Sequence, residues 1–336
     1  MTDVATTTNH QVRLARRPVG MPVRADWSFT AEPVVPPSTG GVLVKTLALS
    51  LDPAMRGWMN DVKSYAPPIG IGEVMRGLGV GEVVESRHPG FSPGDVVSGL
   101  LGWQRYAVAR GKDLNRIPPG VPPILALGPL GMTGMTSYFG LLDVGAAKPG
   151  ETVLVSGAGG AVGSMVGQIA RIHGCRAVGI AGTDDKCRWI TEELGFDAAI
   201  NYKTADLHQE IRRACPKGID VYFDNVGGDI LDTSLRSLAM HARVVICGAI
   251  SQYNATEPVK GPSNYLNLLV QRARMEGFLV FDYRARFPEA QAEMGRWIAE
   301  GKLHHREDIV EGLENAPRAL LRLFDGSNMG KLVVRI

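Results

Sequence analysis

The sequence predicts an α/β protein in two parts, a β-rich first domain followed by a doubly wound parallel-sheet domain. Three observations lead there. Up to about residue 125 the chain is rich in Gly and Pro and carries only short β-type runs. From about residue 126 apolar strands alternate with helical patterns. One of those strands runs straight into a glycine loop that opens a helix. The chain has 336 residues, 45% hydrophobic and only 21% charged, which exceeds one ordinary domain and can build more than one core.

In chain order, the β-type runs at 41–47 and 79–85 predict strands of the first domain. The segment 91–97, FSPGDVV, predicts a tight turn feeding a strand, because Pro fixes φ and Gly accepts the positive φ such turns need. A strand at 151–156, a helix at about 161–173 and a strand at 176–181 make a βαβ unit. Next come a helix at 185–194, a short strand at 198–201, a helix near 207–214, and strands at 220–225 and 243–248, completing a doubly wound sheet. After residues 277–280 a helix is expected at 288–300. The apolar strand at 331–336 closes the chain, and its natural home is the first sheet. The expected division is 1–125, 126–287, and a segment 288–336 that crosses back.

The 36 basic and 34 acidic residues are interleaved, so no basic face for nucleic acid or anionic lipid is expected. The partner expected is a small molecule. No apolar run is long enough to span a bilayer, and the start MTDVATTTNHQ lacks the apolar stretch of a secretory signal, so a cytoplasmic location is expected. Cys175, Cys187, Cys215 and Cys247 have no short paired spacing and read as buried, reduced thiols.

The glycine loop is GAGGAVG at 157–163, preceded by ETVLVS and followed by SMVGQIA. Small residues let the backbone approach a pyrophosphate, and the free N–H groups at the helix start hold its charge, so the order strand, loop, helix predicts a Rossmann dinucleotide site. An NAD enzyme places an acid on the ribose about twenty residues further on, where this chain has Gly182. A 2′-phosphate is accommodated there, with Lys186 to neutralise it, which predicts NADPH. Asp184 and Asp185 are the alternatives: either is a ribose acid if the register shifts, or both belong to the start of the next helix.

The stretch 153–203, with LSLDPAMRGWM, LGMTGMTSYFGLLDVG, FDNVGG, CGAISQYN and GSNMGK, resembles the medium-chain dehydrogenase/reductases of the prostaglandin reductase and leukotriene hydroxydehydrogenase branch. The resemblance spans nearly the whole chain. It implies a GroES-like β-rich domain, a Rossmann domain, a homodimer joined through the Rossmann sheets, and NADPH-dependent reduction of the C=C bond of α,β-unsaturated aldehydes and ketones. By motif match it implies Gly160, Ala161, Val162 and Gly163 at the pyrophosphate, and Lys186 and Tyr202 at the adenosine phosphate. It further implies Asn225, the run Cys247, Gly248, Ala249, Ile250, Ser251 and Tyr253, then Phe278, Leu279 and Val280, and Asn328 around the rest of the cofactor.

Zinc-dependent relatives carry Gly-His-Glu where this chain reads Arg76-Gly77-Leu78, and its seven histidines are not spaced with cysteines as tetrahedral ligands require, so no metal is expected. Without a metal, hydride addition to the β-carbon of an enal or enone needs donors for the charge that develops on the carbonyl oxygen. Tyr253 is the candidate, since it follows the 243–248 strand at the carboxyl end of the sheet. Packing over the nicotinamide, or closing a loop, is its other reading. Ala54 stands where many relatives have a tyrosine after Asp-Pro, which widens the substrate wall; Trp58, Tyr65 and Met132 are candidate apolar liners. The same cofactor site would also serve an NADPH:quinone oxidoreductase or a non-catalytic NADPH-binding sensor.

Overall fold

The computed structural model describes residues 7–336, so the first part of the polar stretch MTDVATTTNHQ lies outside the described residues. The chain divides into two compact units. The first comprises the residues up to Leu127 together with Glu307–Ile336, and the second is Gly128–Arg306.

In the first unit, strands Thr8–Leu14 and Trp27–Pro33 pair antiparallel. The main sheet runs Glu307–Glu311, Lys331–Arg335, Gly41–Ser50, Leu78–Ser86, Val96–Leu100, Asn115–Arg116, and Tyr106–Arg110 pairs on Gly41–Ser50. The closing strand joins this sheet as the sequence predicts, antiparallel to Gly41–Ser50 and parallel to Glu307–Glu311. The crossing back comes later than residue 288, however. Helix Phe287–Ala299 stays in the second unit, where Ala290, Met294 and Trp297 bury an apolar stripe. In the first unit's core the Trp27 and Trp103 rings stack at 5.2 Å among Val12, Leu14, Leu49, Met55 and Leu320.

The second unit is a six-stranded parallel sheet in the order Ala198–Asn201, Arg176–Ala181, Thr152–Ser156, Ile219–Asp224, Leu238–Ile246, Arg274–Gly277. Thr152–Ser156 is buried at every residue, as expected of a parallel strand covered on both faces, which is why it reads as an unbroken apolar run. The sheet order reverses between Thr152–Ser156 and Ile219–Asp224, and crevices form beyond the carboxyl ends of strands at such a point.

Two predicted elements differ in detail. The helix expected at 185–194 begins as Asp184–Arg188, capped by Thr183, whose hydroxyl accepts the Lys186 N–H, and continues as a π turn over Trp189–Glu193. The strand expected at 243–248 is Leu238–Ile246. It stops short because the Cys247 and Gly248 N–H groups turn to the Asp224 carbonyl, at 2.9 and 3.1 Å.

Candidate cofactor site

The site begins where Thr152–Ser156 ends. Gly157 has φ +62°, a left-handed backbone that an L side chain would strain, and the chain reverses there into helix Ala161–Ile172. Gly160 is the N-cap and contributes no capping side chain, so the first turn of the helix, with Ala161, Val162 and Gly163, presents N–H groups that lack partners within the helix. A Cβ on Gly163 would run into the Gly157 carbonyl and the Ala158 Cα, so the helix approaches the loop closely only with glycine here. A pyrophosphate fits this cradle.

Around Gly182 the register question is answered by what holds the two acids. Asn201 Nδ2 donates to Asp184 Oδ1 at 2.6 Å, and Asp185 pairs with Arg188. Both carboxylates are engaged in and around the helix that follows. The Lys186 stem lies over Gly159, with Cδ 2.9 Å from where a Cβ would stand. A Cβ on Gly182 would stand 3.1 Å from Tyr202 Cε1 and 3.4 Å from its hydroxyl. The Tyr202 N–H donates to the Ala181 carbonyl at 3.1 Å, which fixes the ring opposite Gly182. This rim is exposed at Tyr202, and Lys186 is the cation on it that could pair with a 2′-phosphate.

The carboxyl end of Ile219–Asp224 is built differently, around a carboxylate that motif spacing does not single out. Asp224 is buried, and its Oδ1 accepts from the Ser156 hydroxyl at 2.8 Å, the Tyr222 hydroxyl at 2.9 Å and the Val226 N–H at 3.1 Å. The Gly227 N–H donates to the same carboxylate. Burial first, and then the neighbouring Asp224 charge, holds the Tyr222 hydroxyl well above the ordinary tyrosine range, so it stays protonated and keeps donating. Asn225 is clamped in turn: its N–H donates to Ser156 Oγ at 2.9 Å and its Nδ2 to the Ser156 carbonyl at 2.8 Å.

The loop after Leu238–Ile246 hangs from this network. Ile250 N–H donates to the Asn225 carbonyl at 3.2 Å, and both Ser251 N–H and its hydroxyl reach the Val226 carbonyl, at 3.1 and 2.6 Å. The loop folds back on itself so that the Tyr253 hydroxyl accepts the Ala249 N–H at 3.2 Å. That hydroxyl lies 2.9 Å from where a Cβ on Gly248 would stand. Cys247 is half-buried, and burial together with the Asp224 charge pushes its thiol up to about 12, which rules out a thiolate nucleophile near neutral pH. Residues 278–280 leave the neighbouring strand at the same end, since Ile246 pairs with Gly277. There Phe278 packs edge-on to Phe223 at 6.5 Å, Val280 is buried and Leu279 is exposed.

Asn328 belongs to the first unit, where it is buried with its Nδ2 donating to the Gly330 carbonyl at 3.3 Å. Beside it Lys331 is buried too and pairs with Asp52 at 2.8 Å, while Ser50 also bonds that carboxylate. The GSNMGK and LSLDP strings therefore meet in space. Ala54 opens the short helix Ala54–Trp58, and the Trp58 indole N–H donates to the Tyr65 hydroxyl at 3.1 Å, with Tyr65 itself exposed. Met132 opens helix Met132–Phe139 of the second unit. Among the described residues no three His, Cys, Asp or Glu side chains gather as metal ligands would.

Known proteins match the chain across both units. Residues 10–117 match the family described as the N-terminal domain of oxidoreductase, and residues 161–296 the family described as zinc-binding dehydrogenase. The NADPH-dependent curcumin reductase of Escherichia coli is 46% identical over 334 residues, covering 98% of this chain and 97% of that protein. The NADP(+)-dependent 2-alkenal reductase of Nicotiana tabacum is 43% identical, covering 98% and 97%. The crystal structure of CurA from Vibrio vulnificus in complex with NADPH superposes with a TM-score of 0.93 at 46% identity, covering 97% of this chain and 98% of that one.

Proposed function

The chain belongs to the zinc-independent medium-chain dehydrogenase/reductase family, and from that premise we propose that it reduces the C=C double bond of α,β-unsaturated aldehydes and ketones. It is an NADP-dependent oxidoreductase, and its cofactor is NADPH. In this proposal Gly160, Ala161, Val162 and Gly163 hold the pyrophosphate, while Lys186 and Tyr202 hold the 2′-phosphate over Gly182. Asn225, the 247–253 loop and residues 278–280 enclose the remainder, and Asn328 is assigned to the cofactor by its motif alone.

The observation that carries the reading is the Tyr253 phenol. Its oxygen accepts the Ala249 N–H, and a hydroxyl that accepts one hydrogen bond is polarised to donate a stronger one. When bound, the cofactor supplies the reducing equivalent; the residues of the chain place the substrate and manage the charge that results. In the mechanism proposed, Tyr253 donates to the substrate's carbonyl oxygen as negative charge develops there, a role otherwise taken by a metal. The Asp224 network holds Asn225 and Val226, whose carbonyls anchor Ile250 and Ser251 of the loop that carries this donor. Water supplies the proton to the α-carbon.

Product analysis tests the reading. Purified protein with NADPH and a panel of 2-alkenals, enones and quinones is expected to yield the saturated carbonyl compound. Allyl alcohol as the product would overturn it, as would reduction of quinones alone, and binding of NADPH without turnover would mark a sensor.

We also propose a homodimer joined at the free edge of the second unit's sheet. Arg274–Gly277 forms that edge, and helix Leu266–Val270 just before it leaves Leu266, Leu269 and Val270 exposed, an apolar surface of the kind that marks an interface. Size-exclusion with light scattering should give twice the chain mass, and Leu269→Glu should shift it toward the monomer. The four free thiols suit a reducing cytoplasm, where we place the protein; among the described residues no helix is long and apolar enough to cross a membrane.

A further inference from the structure

We infer that Lys203 is a second cation for the 2′-phosphate and a determinant of NADPH preference, resting on the proposal above that this phosphate lies over Gly182. Strand Ala198–Asn201 ends beside Gly182, and the two residues that follow it close over that glycine. Lys203 Cε stands 3.4 Å from where a Gly182 Cβ would be, the same distance as the Tyr202 hydroxyl. The ammonium is one bond further out. Lys203 N–H donates to Asn201 Oδ1 at 3.1 Å, and Asn201 in turn donates to Asp184, so the turn that aims the lysine is itself held.

The charge on Lys203 is not spent elsewhere. Among the described residues it has no carboxylate partner, while the two nearest acids in sequence to Gly182 are occupied, Asp184 by Asn201 and Asp185 by Arg188. An isolated, exposed ammonium above a residue without a side chain suits a dianionic ligand. Lys186 approaches from a different element, its stem across Gly159, so the two lysines would flank one phosphate. A ribose phosphate carries a charge of about −2 near neutral pH, more than one ammonium neutralises. NADH lacks this group and gains nothing from Lys203.

The experiment compares Lys203→Gln, Lys203→Arg, Lys186→Gln and Tyr202→Phe with the wild type. Dissociation constants for NADPH, NADH and 2′-AMP are measured by calorimetry at low and at moderate salt. Lys203→Gln should weaken NADPH and 2′-AMP by about tenfold at low salt, flatten their salt dependence, and leave NADH alone. Lys203→Arg should keep most of the affinity. Unchanged NADPH and 2′-AMP binding in Lys203→Gln, with a loss in Lys186→Gln, overturns the role of Lys203 and spares the phosphate placement. An equal loss for NADPH and NADH overturns it as well. If none of the three removals moves NADPH relative to NADH, the phosphate does not lie over Gly182, and the inference falls with that placement.

Discussion

The two ends of the proposed cofactor site are built in opposite ways. At the end proposed for the adenosine phosphate, Lys186 comes from helix Asp184–Arg188 and the neighbours Tyr202 and Lys203 from the turn after Ala198–Asn201; all three lean over glycines, and Tyr202 and Lys203 stand at the surface. At the end proposed for the nicotinamide, Ser156, Tyr222, Asp224 and Gly227 are buried, and the one carboxylate, Asp224, ties Ser156, Tyr222, Val226 and Gly227 together. Exposed charges can be exchanged one at a time with local consequences, whereas removing a member of a buried network strands its partners. The rim should therefore tune which cofactor binds, and the network should decide whether there is a site at all.

The most severe test is Asp224→Ala. It leaves two buried hydroxyls and two N–H groups without their acceptor, so a loss of about 3–5 kcal/mol in stability is expected, together with loss of NADPH binding. Denaturant unfolding, followed by fluorescence with and without NADPH, measures both. A variant that unfolds like the wild type and loses only affinity would erase the distinction between the two ends.

Tyr253→Phe comes next, because Tyr253 depends on the network without being one of the groups that bind Asp224. If the hydroxyl is the donor to the developing enolate, kcat should fall by up to about a hundredfold with little change in stability or in NADPH affinity. Steady-state kinetics at saturating substrate provide the measurement. Unchanged kcat would leave Tyr253 a packing residue and return the charge-stabilising role to another donor.

How much of this could be read from the sequence follows the same division. The strand, loop and helix across 152–172 were evident because a buried parallel strand is an unbroken apolar run and its glycines have a fixed order. Gly182 was readable as a missing acid. Asp224 and Ser156 were not, since the hydrogen bond that gives them meaning joins residues 68 apart, and each alone is an ordinary polar residue at a strand end. Arg274–Gly277, reading RMEG, has no apolar alternation, and only its pairing with Leu238–Ile246 makes it a strand. The pair between Lys331 and Asp52, 279 residues apart, was equally invisible, although both residues lie in strings that identify the family.

The rim is tested by Gly182→Asp. The backbone accepts the change, but the new side chain starts 3.1 Å from Tyr202 and brings a carboxylate to the place proposed for the 2′-phosphate. NADPH affinity should fall by about tenfold or more while NADH gains a partner for its ribose hydroxyl, and the unfolding midpoint should hardly move. Competition binding with both cofactors decides it. A large loss of stability would mean that the rim is as integral to the fold as the network.

The smallest effect concerns the thiols, and it separates the two ends by reactivity. The proposed substrates are electrophiles that alkylate thiolates, yet the end proposed for the nicotinamide carries Cys247. Burial first, and then the Asp224 charge, push that thiol up to about 12, so at pH 8 it is held as the protonated thiol. Cys187 sits beside Lys186 at the other end, half-buried; its thiol is also raised, by burial first and by Asp184 second, but it lacks the Asp224 network behind it. Timed exposure to a 2-alkenal at pH 8, followed by peptide mass mapping, should find adducts on Cys187 before Cys247. Activity should outlast the first adduct. Raising the pH toward 11 should bring Cys247 into reaction, because the fraction of thiolate grows tenfold with each pH unit below its pKa. Early modification of Cys247 at pH 8 would mean that the buried end is open to water, and that the contrast between network and rim is one of sequence alone.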